Sequence, residues 1–345
     1  MDVVGVGALN LDLITGASAL NGGPVLARLG AHMRLRPPPE SGGERMVDEP
    51  AVRAGLEWLR AEGVPLTPEP GGSAFNTLHA LGRLGRGLRL GYVGVAGRDP
   101  LGAAGPLAVL DGLGIDRRLV ARDPDRLCGI CLSVHDGGER TLLTHTGANT
   151  RIAAHVRERF EEIAGYLAAA RAVHVTSFLD PDGGAVLHRL LVEVRRRSPG
   201  TLISFDPGHV WSAEPTADVL AMAAMSDYLL VNGREFERLV RVRTRAEGAA
   251  VVKYPDRVEV HRPGTVERYA HRPLPGGEVE DATGAGDVFA AGLLAALVAD
   301  HAPLGAGVRL GSALAGHKLR HVGTRGHGGF RAIAADFLRP ASPVR

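Results

Sequence analysis

From His155 to Tyr254 the chain alternates between two hydrophobic periods, and this alternation most restricts what it can fold into. "HVRERFEEIAGYLAAA", "GGAVLHRLLVEVRRRS", "DVLAMAAMS" and "REFERLVRV" read as helices; "AVHVTSF", "LISFDP", "YLLVN" and "AAVVKY" read as short apolar strands between and after them. Strands separated by helices of this length need crossover connections, so they lie parallel in a sheet covered on both faces. Such a sheet demands small and branched apolar residues. Of 345 residues 45% are hydrophobic and only 4% aromatic, which predicts a core of Ala, Val and Leu.

The N-terminal half is more mixed. Residues 2–8 read as a buried first strand, and 22–50 as a loop with "GGP", "RPPPESGG" and a short helical turn in "PVLARLG". Residues 48–64 place Val52, Leu56 and Leu59 on one side of a helix begun by Asp48 or Glu49 and Pro50. "GGSAFNTLHALGRLG", 71–85, is a glycine turn into a helix; 89–97 is a strand; 100–115 is a helix broken or begun near Pro106. Residues 128–147 are two alternating runs joined at Gly137-Gly138, a hairpin that predicts a small β-rich subdomain.

The charge balance, +2 with neutral histidines, points to no polyanionic partner. "RRR" at 195–197 has no aromatic company and reads as the solvated end of a helix, so no nucleic acid is expected. The longest apolar run, 288–299, is too short for a membrane span, and the first residues lack the basic start of a secretory signal. A cytoplasmic protein is expected. Cys128 and Cys131 cannot complete a zinc site alone, and residues three apart on a strand face opposite ways, so they read as small core residues without a disulfide.

The chemistry concentrates in "EDATGAGDVFAAG", 280–292. Small residues opening a helix expose backbone N–H groups at the positive end of its dipole, an anion-binding device. Asp287 puts a carboxylate into that device. It could be a first-turn carboxylate worth about 1 kcal/mol. Alternatively the N–H groups bind a transferring phosphoryl group while Asp287 accepts the proton of the attacking hydroxyl, the arrangement phosphoryl transfer requires. On that reading the helix N-terminus holds Asp287 ionised and ready.

"DATGAGDVFAAG" resembles the C-terminal signature of the ribokinase-like (PfkB) carbohydrate kinases, and "GGSAFNTLHALGRLG" resembles their N-terminal glycine signature. "VGVGALNLDLI", "GYVGVAGRDPLG", "GGERTLLTHTGAN" and "LLVNGREFE" follow in family order, so the resemblance covers nearly the whole chain. It implies an α/β fold over 1–345: a doubly wound, mostly parallel sheet with helices on both faces, and a small β-rich lid from about 10–20, 64–71 and 127–147. It implies ATP-dependent phosphorylation of a sugar hydroxymethyl, with Mg2+ and, in some members, K+. Asp287 would be the base and Gly284, Ala285 and Gly286 the anion hole. Asn10, Asp12, Gly71, Gly72 and Asn76 would bind the acceptor. Asn232 and Glu235 would act on magnesium and phosphates through water, with no direct protein cluster on the metal. Arg140 stands where some relatives put a lid cation near the phosphate, or is a solvated hairpin residue. Asp281 and the Thr283 backbone match a loop that binds a monovalent cation in some members. "VVKYPDRVEVH" carries Pro255 and Val258 where glycines are expected beside the nucleotide, so donor preference stays open.

The stretch from "LARLG" to "GGSAFNT" leans toward adenosine-kinase-like members, whereas the shortage of stacking aromatics leans away. Phe75, Phe178 and Trp211 are the candidates, each equally readable as core. Free sugar and nucleoside both remain as acceptors, and a sugar-binding relative without turnover remains as the non-enzymatic alternative. An exposed edge of the lid sheet would invite a homodimer.

Overall fold

The computed structural model describes every residue except 17–24, 41–42, 103–104, 137–138, 240–243 and 338–345, and the side chains of 16, 135, 136, 139 and 140. Its strands are β1 (Val3–Val6), β2 (Asn10–Gly16), β3 (Glu44–Met46), β4 (Thr67–Gly71), β5 (Leu90–Arg98), β6 (Asp116–Leu127), β7 (Gly129–Asp136) and β8 (Glu139–His145). Then come β9 (Ala172–Thr176), β10 (Leu202–Asp206), β11 (Tyr228–Asn232), β12 (Ala249–Lys253), β13 (Arg257–Arg262) and β14 (Thr265–Ala270).

Nine strands form one sheet in the order β14-β13-β12-β11-β10-β9-β1-β5-β6. Neighbours from β12 through β6 are parallel, and β13 and β14 extend one side antiparallel. The chain winds from β1 to β5 and β6, then crosses to β9 on the other flank and winds on to β12. Beyond the carboxyl ends of the strands, near this reversal, α/β sheets bind their ligands.

Period-two alternation divides the strand residues between two layers. Val4, Val6, Val173 and Val175 pack under helices Ile152–Glu158, Phe160–Ala168 and Gly183–Arg197. Val3 and Ala172 face helices Ser73–Arg83, Ala285–Val298 and Leu304–Lys318. Helix Ala285–Val298 is apolar all round because it is wedged between its two helical neighbours. A Cβ on Gly292 would stand 2.7 Å from the backbone of Gly311, so these axes approach closely only with glycine there. No helix is long and apolar enough to cross a membrane among the described residues.

A second sheet has the order β3-β8-β7-β2-β4. Leu11, Leu13, Ile130 and Leu132 pack beneath helices Val25–His32 and Glu49–Ala61. The alternate residues, Asp12, Ile14, Cys131 and Ser133, line a cavity shared with the large sheet's helices. Cys128 is a core residue as expected, whereas Cys131 is half-buried at that cavity, and neither is in a disulfide. The expected hairpin is present as β7 and β8, with its Gly137-Gly138 turn outside the described residues.

Other departures have local causes. The helix expected from 155 is two, divided at Arg159 (φ −119°, ψ 31°). The loop expected over 22–50 contains helix Val25–His32 and strand β3, which has one partner strand and little apolar content. β6 reads as loop because it is a charged outer strand carrying Pro124, tolerated only at an edge. Arg195, Arg196 and Arg197 close helix Gly183–Arg197 and pair with Asp227 and Glu193 at 2.6–2.7 Å.

Candidate active site

Gly284 adopts φ +72°, a left-handed conformation that favours glycine, and caps helix Ala285–Val298 without a side-chain hydrogen bond. The first N–H groups of a helix have no intrahelical acceptor, so such a start offers donors to an anion, with the Ala285 N–H already turned to the Ala282 carbonyl at 3.3 Å. Asp287 lies in its first turn. Asn76 Nδ2 donates to Asp287 Oδ2 at 2.9 Å, and Thr77 Oγ1 donates to the Asp287 carbonyl at 3.1 Å. Helix Ser73–Arg83 thus grips a carboxylate more than two hundred residues away. That helix starts at Gly72, whose φ of +107° lets its Cα sit beneath the Ala8 carbonyl oxygen.

Burial pushes the Asp287 carboxyl up to about 7, and the nearby Asp206 charge adds to this. Hydrogen bonds from Asn76 and Ser73 and the Lys253 charge oppose the rise without cancelling it. Desolvation outweighs these opposing contributions, and the group is poised to titrate near neutral pH.

Asp206, Asn232 and Lys253 stand at the carboxyl ends of β10, β11 and β12 and line a cleft of about 1000 Å³ with Gly286 and Asp287. Lys253 Nζ donates to Asp206 Oδ2 at 3.1 Å. Burial disfavours the Lys253 charge, but Asp206 and Glu235 outweigh it and the ammonium is held above its ordinary range. Asn232 and Glu235 form a reciprocal capping box: Asn232 Oδ1 accepts from the Glu235 N–H, and Glu235 Oε2 accepts from the Asn232 N–H, each at 2.9 Å. Burial, then the Asp206 charge, raises the Glu235 carboxyl. The Tyr254–Arg257 turn is a tight hairpin between β12 and β13, with the Arg257 guanidinium stacked 4.1 Å over Tyr254 and Val258 buried.

On the other side of Asp287, a narrow cavity is lined by Asp12, Glu69, Asn76, Ser133, Gly284 and His327. Asn10 Oδ1 accepts from Asn149 Nδ2 at 2.9 Å, and Asn149 Oδ1 accepts from the Leu9 N–H, also at 2.9 Å. Gly71 leaves room for the Asp12 carboxylate, which a Cβ would strike. Phe75, Phe178 and Trp211 are buried in the core. Arg140 lies on β8, and its side chain falls outside the described residues.

The loop before Gly284 is tied to the end of helix Leu304–Lys318. Asp281 Oδ1 accepts from the Thr283 N–H at 2.8 Å, and Oδ2 from the Gly323 N–H at 3.0 Å and from Lys318 Nζ at 2.8 Å. Burial alone would raise the Asp281 carboxyl, but Lys318, Thr283 and Gly323 bring it down to about 2. Among the described residues, no three His, Cys, Asp or Glu side chains are grouped to bind a metal.

The expected residues Asn76, Gly284, Ala285, Gly286 and Asp287 therefore meet, with Asn232 and Glu235 across the cleft and Asp12 and Gly71 across the cavity. Sequence reasoning missed Asp206, Lys253, Asn149 and Lys318. For the first two a signal existed: each is the last residue of a buried strand.

The comparisons agree with this geometry. The model of the pfkB family carbohydrate kinases matches residues 61–327. An ATP-dependent ribose-1-phosphate kinase of Halopiger xanaduensis is 32% identical over 242 residues, covering 67% of this chain and 74% of that protein. The adenosine kinase structure from Sinorhizobium meliloti superposes with a TM-score of 0.76 at 20% identity, covering 97% of this chain and 98% of that one. Ribokinase from Giardia lamblia gives 0.72 at 16% identity, covering 98% and 99%. At such identities the two structures speak for the fold alone. The matched family model spans well over half of the sequence, and the chain belongs to the pfkB family of carbohydrate kinases.

Proposed function

We propose that the chain transfers the γ-phosphoryl group of ATP to a hydroxymethyl oxygen of a sugar, with Asp287 as the base. One observation carries the assignment: Asp287 stands in the first turn of a helix on the wall of a large cleft, its carboxylate held by Asn76, which lines the narrow cavity, and its carboxyl near 7. The donor takes the cleft, its triphosphate directed at the N–H groups of residues 284–286. The acceptor takes the cavity, its hydroxyl hydrogen-bonded to Asp287. Asn76 orients that carboxylate, and the Lys253 charge offsets negative charge on the phosphates. Asn10, positioned by Asn149, and Asp12 hold sugar hydroxyls, and the Gly71–Gly72 turn lets them approach. Arg140 contacts phosphate only if its side chain turns inward from β8.

The oxygen donors Asp206, Asn232 and Glu235 at the cleft fit a hydrated Mg2+. When bound, it would neutralise phosphate charge and orient the γ-phosphoryl group. The small sheet acts as the lid, over about 10–20, 64–71 and 127–147, in a single domain of 1–345. A homodimer through the β4 edge has little support, because Pro68 and Pro70 lack the N–H groups strand addition needs; the opposite edge, β3, carries no proline. Two cysteines outside any disulfide suit a cytoplasmic setting.

Ribose-1-phosphate is the first acceptor to test, on the strength of the Halopiger xanaduensis relative. A pocket of about 350 Å³ adjoins the narrow cavity and carries Arg83 beside His79 and His327. Burial pushes those histidines down to about 4 and about 3, so Arg83 would supply the charge for an anionic substituent. Nucleosides are the second class, in line with the leaning of the glycine-motif entry. The screen measures ADP release with ribose-1-phosphate, pentoses, hexoses and nucleosides. Phosphorylation of one class is expected. Calorimetric binding of a sugar without ADP release would replace the kinase reading with a binding protein.

A further inference from the structure

We infer that Lys318 occupies with its own ammonium the place a monovalent cation would take beneath the anion hole, and that the reaction therefore needs no potassium. Lys318 is 2% exposed and ends helix Leu304–Lys318. Its Nζ donates to the Asp281 carbonyl at 3.1 Å, to Asp281 Oδ2 at 2.8 Å and to the His321 carbonyl at 2.9 Å. One carboxylate and two main-chain carbonyls converging on a dehydrated point charge are the donors a large alkali cation uses. An ammonium and K+ are of similar size, so both cannot occupy this space, and the residues present do not fit an added cation.

The location gives the ammonium a task. Asp281 also accepts from the N–H groups of Thr283 and Gly323, and the N–H groups of Glu280 and Asp281 lie 2.8 and 3.3 Å from the Leu319 carbonyl. Residues 280–283 are thereby clamped to 318–323, and the next residue is Gly284, whose left-handed conformation starts the anion-binding helix. Lys318 is also one of the residues around the narrow cavity. It is a positioning residue: it touches no reacting atom, but it fixes the loop that aims the N–H groups of 284–286. A covalently attached ammonium does this regardless of the ions in solution.

This inference rests on the kinase reading for its consequence in turnover, but its structural half is testable without an acceptor. Thermal unfolding of the full-length wild type is compared in KCl and in choline chloride at equal ionic strength. No difference is expected. Lys318→Ala, which opens the space and leaves Asp281 unpaired, is expected to melt lower in choline chloride and to recover several degrees in KCl or NH4Cl. Lys318→Met, which keeps the space filled, is expected to show no recovery. With the acceptor found in the screen, wild-type kcat is expected to be indifferent to K+. Lys318→Ala is expected to lose about 10²-fold in choline chloride, the scale of a misplaced reacting group, with most of it restored by K+ or ammonium. A wild type that K+ stabilises or activates over choline overturns the inference even if no variant folds. So does a folded Lys318→Ala that is fully active in choline chloride, or that no cation rescues.

Discussion

At the scale of single residues, Asp287 shows two opposed effects in competition. Burial disfavours its charge, the Asn76 and Ser73 hydrogen bonds and the Lys253 charge favour it, and the outcome near 7 says that burial is larger. Protonated carboxyl cannot take a proton, so kcat/KM is expected to rise about tenfold per pH unit below 7 and to level above it. The same shift sets stability. A carboxyl at 3.8 when unfolded and about 7 when folded binds a proton on folding between those values. Stability contributed by this group therefore falls as pH rises from 3.8 toward 7, and the full penalty persists above. Asp287→Asn is expected to lower kcat by about 10²-fold while raising the melting temperature at pH 8 and not at pH 4. Unchanged turnover would remove Asp287 from the mechanism, and an equal gain at both pH values would remove the ionisation argument. Lys253 supplies the check from the other direction. Its charge holds the Asp287 carboxyl down, so Lys253→Met should move the pH limb upward and cost about 10²-fold in kcat. A limb that stays in place would mean the two groups are not coupled. Asp287 was legible in sequence because its partners 284–286 are contiguous with it. Lys253 and Asp206 were not singled out, because their meeting depends on β10 and β12 flanking β11.

At the scale of elements, the motif "NGRE" serves two readings at once. The capping box is a complete structural reason for Asn232 and Glu235, satisfying two N–H groups at the start of helix Gly233–Arg238. Their position at the cleft is a functional one. Paired substitutions separate them. Asn232→Ala should cost about 1 kcal/mol of stability through loss of the cap. Asn232→Ser keeps a capping oxygen on a shorter arm, so it should keep stability, and a fall in its kcat would then report on the nucleotide side. Wild-type turnover in a stable Asn232→Ser would leave the motif as a cap alone. The parallel strands β9 to β12 and their helices were legible because each carries its period within one uninterrupted segment. Helix Leu304–Lys318 was not, since four glycines and burial against several elements blur its apolar stripe. The hairpin β13–β14 was missed as well: β14 is an exposed charged edge, and β13 pairs charged residues with its buried Val258 and Val260.

At the scale of the whole molecule, the narrow cavity decides how a substrate could enter. It is the smaller of the two spaces beside Asp287, with about 30 Å³ of free volume against about 1000 Å³ in the cleft, so a pentose needs it to widen. The small sheet and the segments packed on the large sheet are joined by two side-chain contacts. Thr324 Oγ1 donates to Glu69 Oε2 at 2.9 Å on one side, and Asn149 grips Asn10 on the other. Both contacts join β2 or β4 to segments packed on the large sheet. The Asn149 contact is the tighter, because Asn149 also binds both the N–H and the carbonyl of Leu9, and it sits where β1 passes into β2. If the small sheet is the lid proposed above, Asn149 is placed to be its pivot and the single Thr324–Glu69 bond its latch, and the acceptor would enter as the sheet swings about Asn149. In solution without substrate, small-angle scattering should give a larger radius of gyration than this closed arrangement has, falling toward it when acceptor is added and changing less with nucleotide alone. Glu69→Ala should leave the unliganded radius large and weaken closure, raising KM for the acceptor more than it lowers kcat. A radius that stays at the closed value in every state would mean the acceptor reaches Asp287 by another route, through the large cleft that the donor also needs, and the two substrates would then compete rather than bind together.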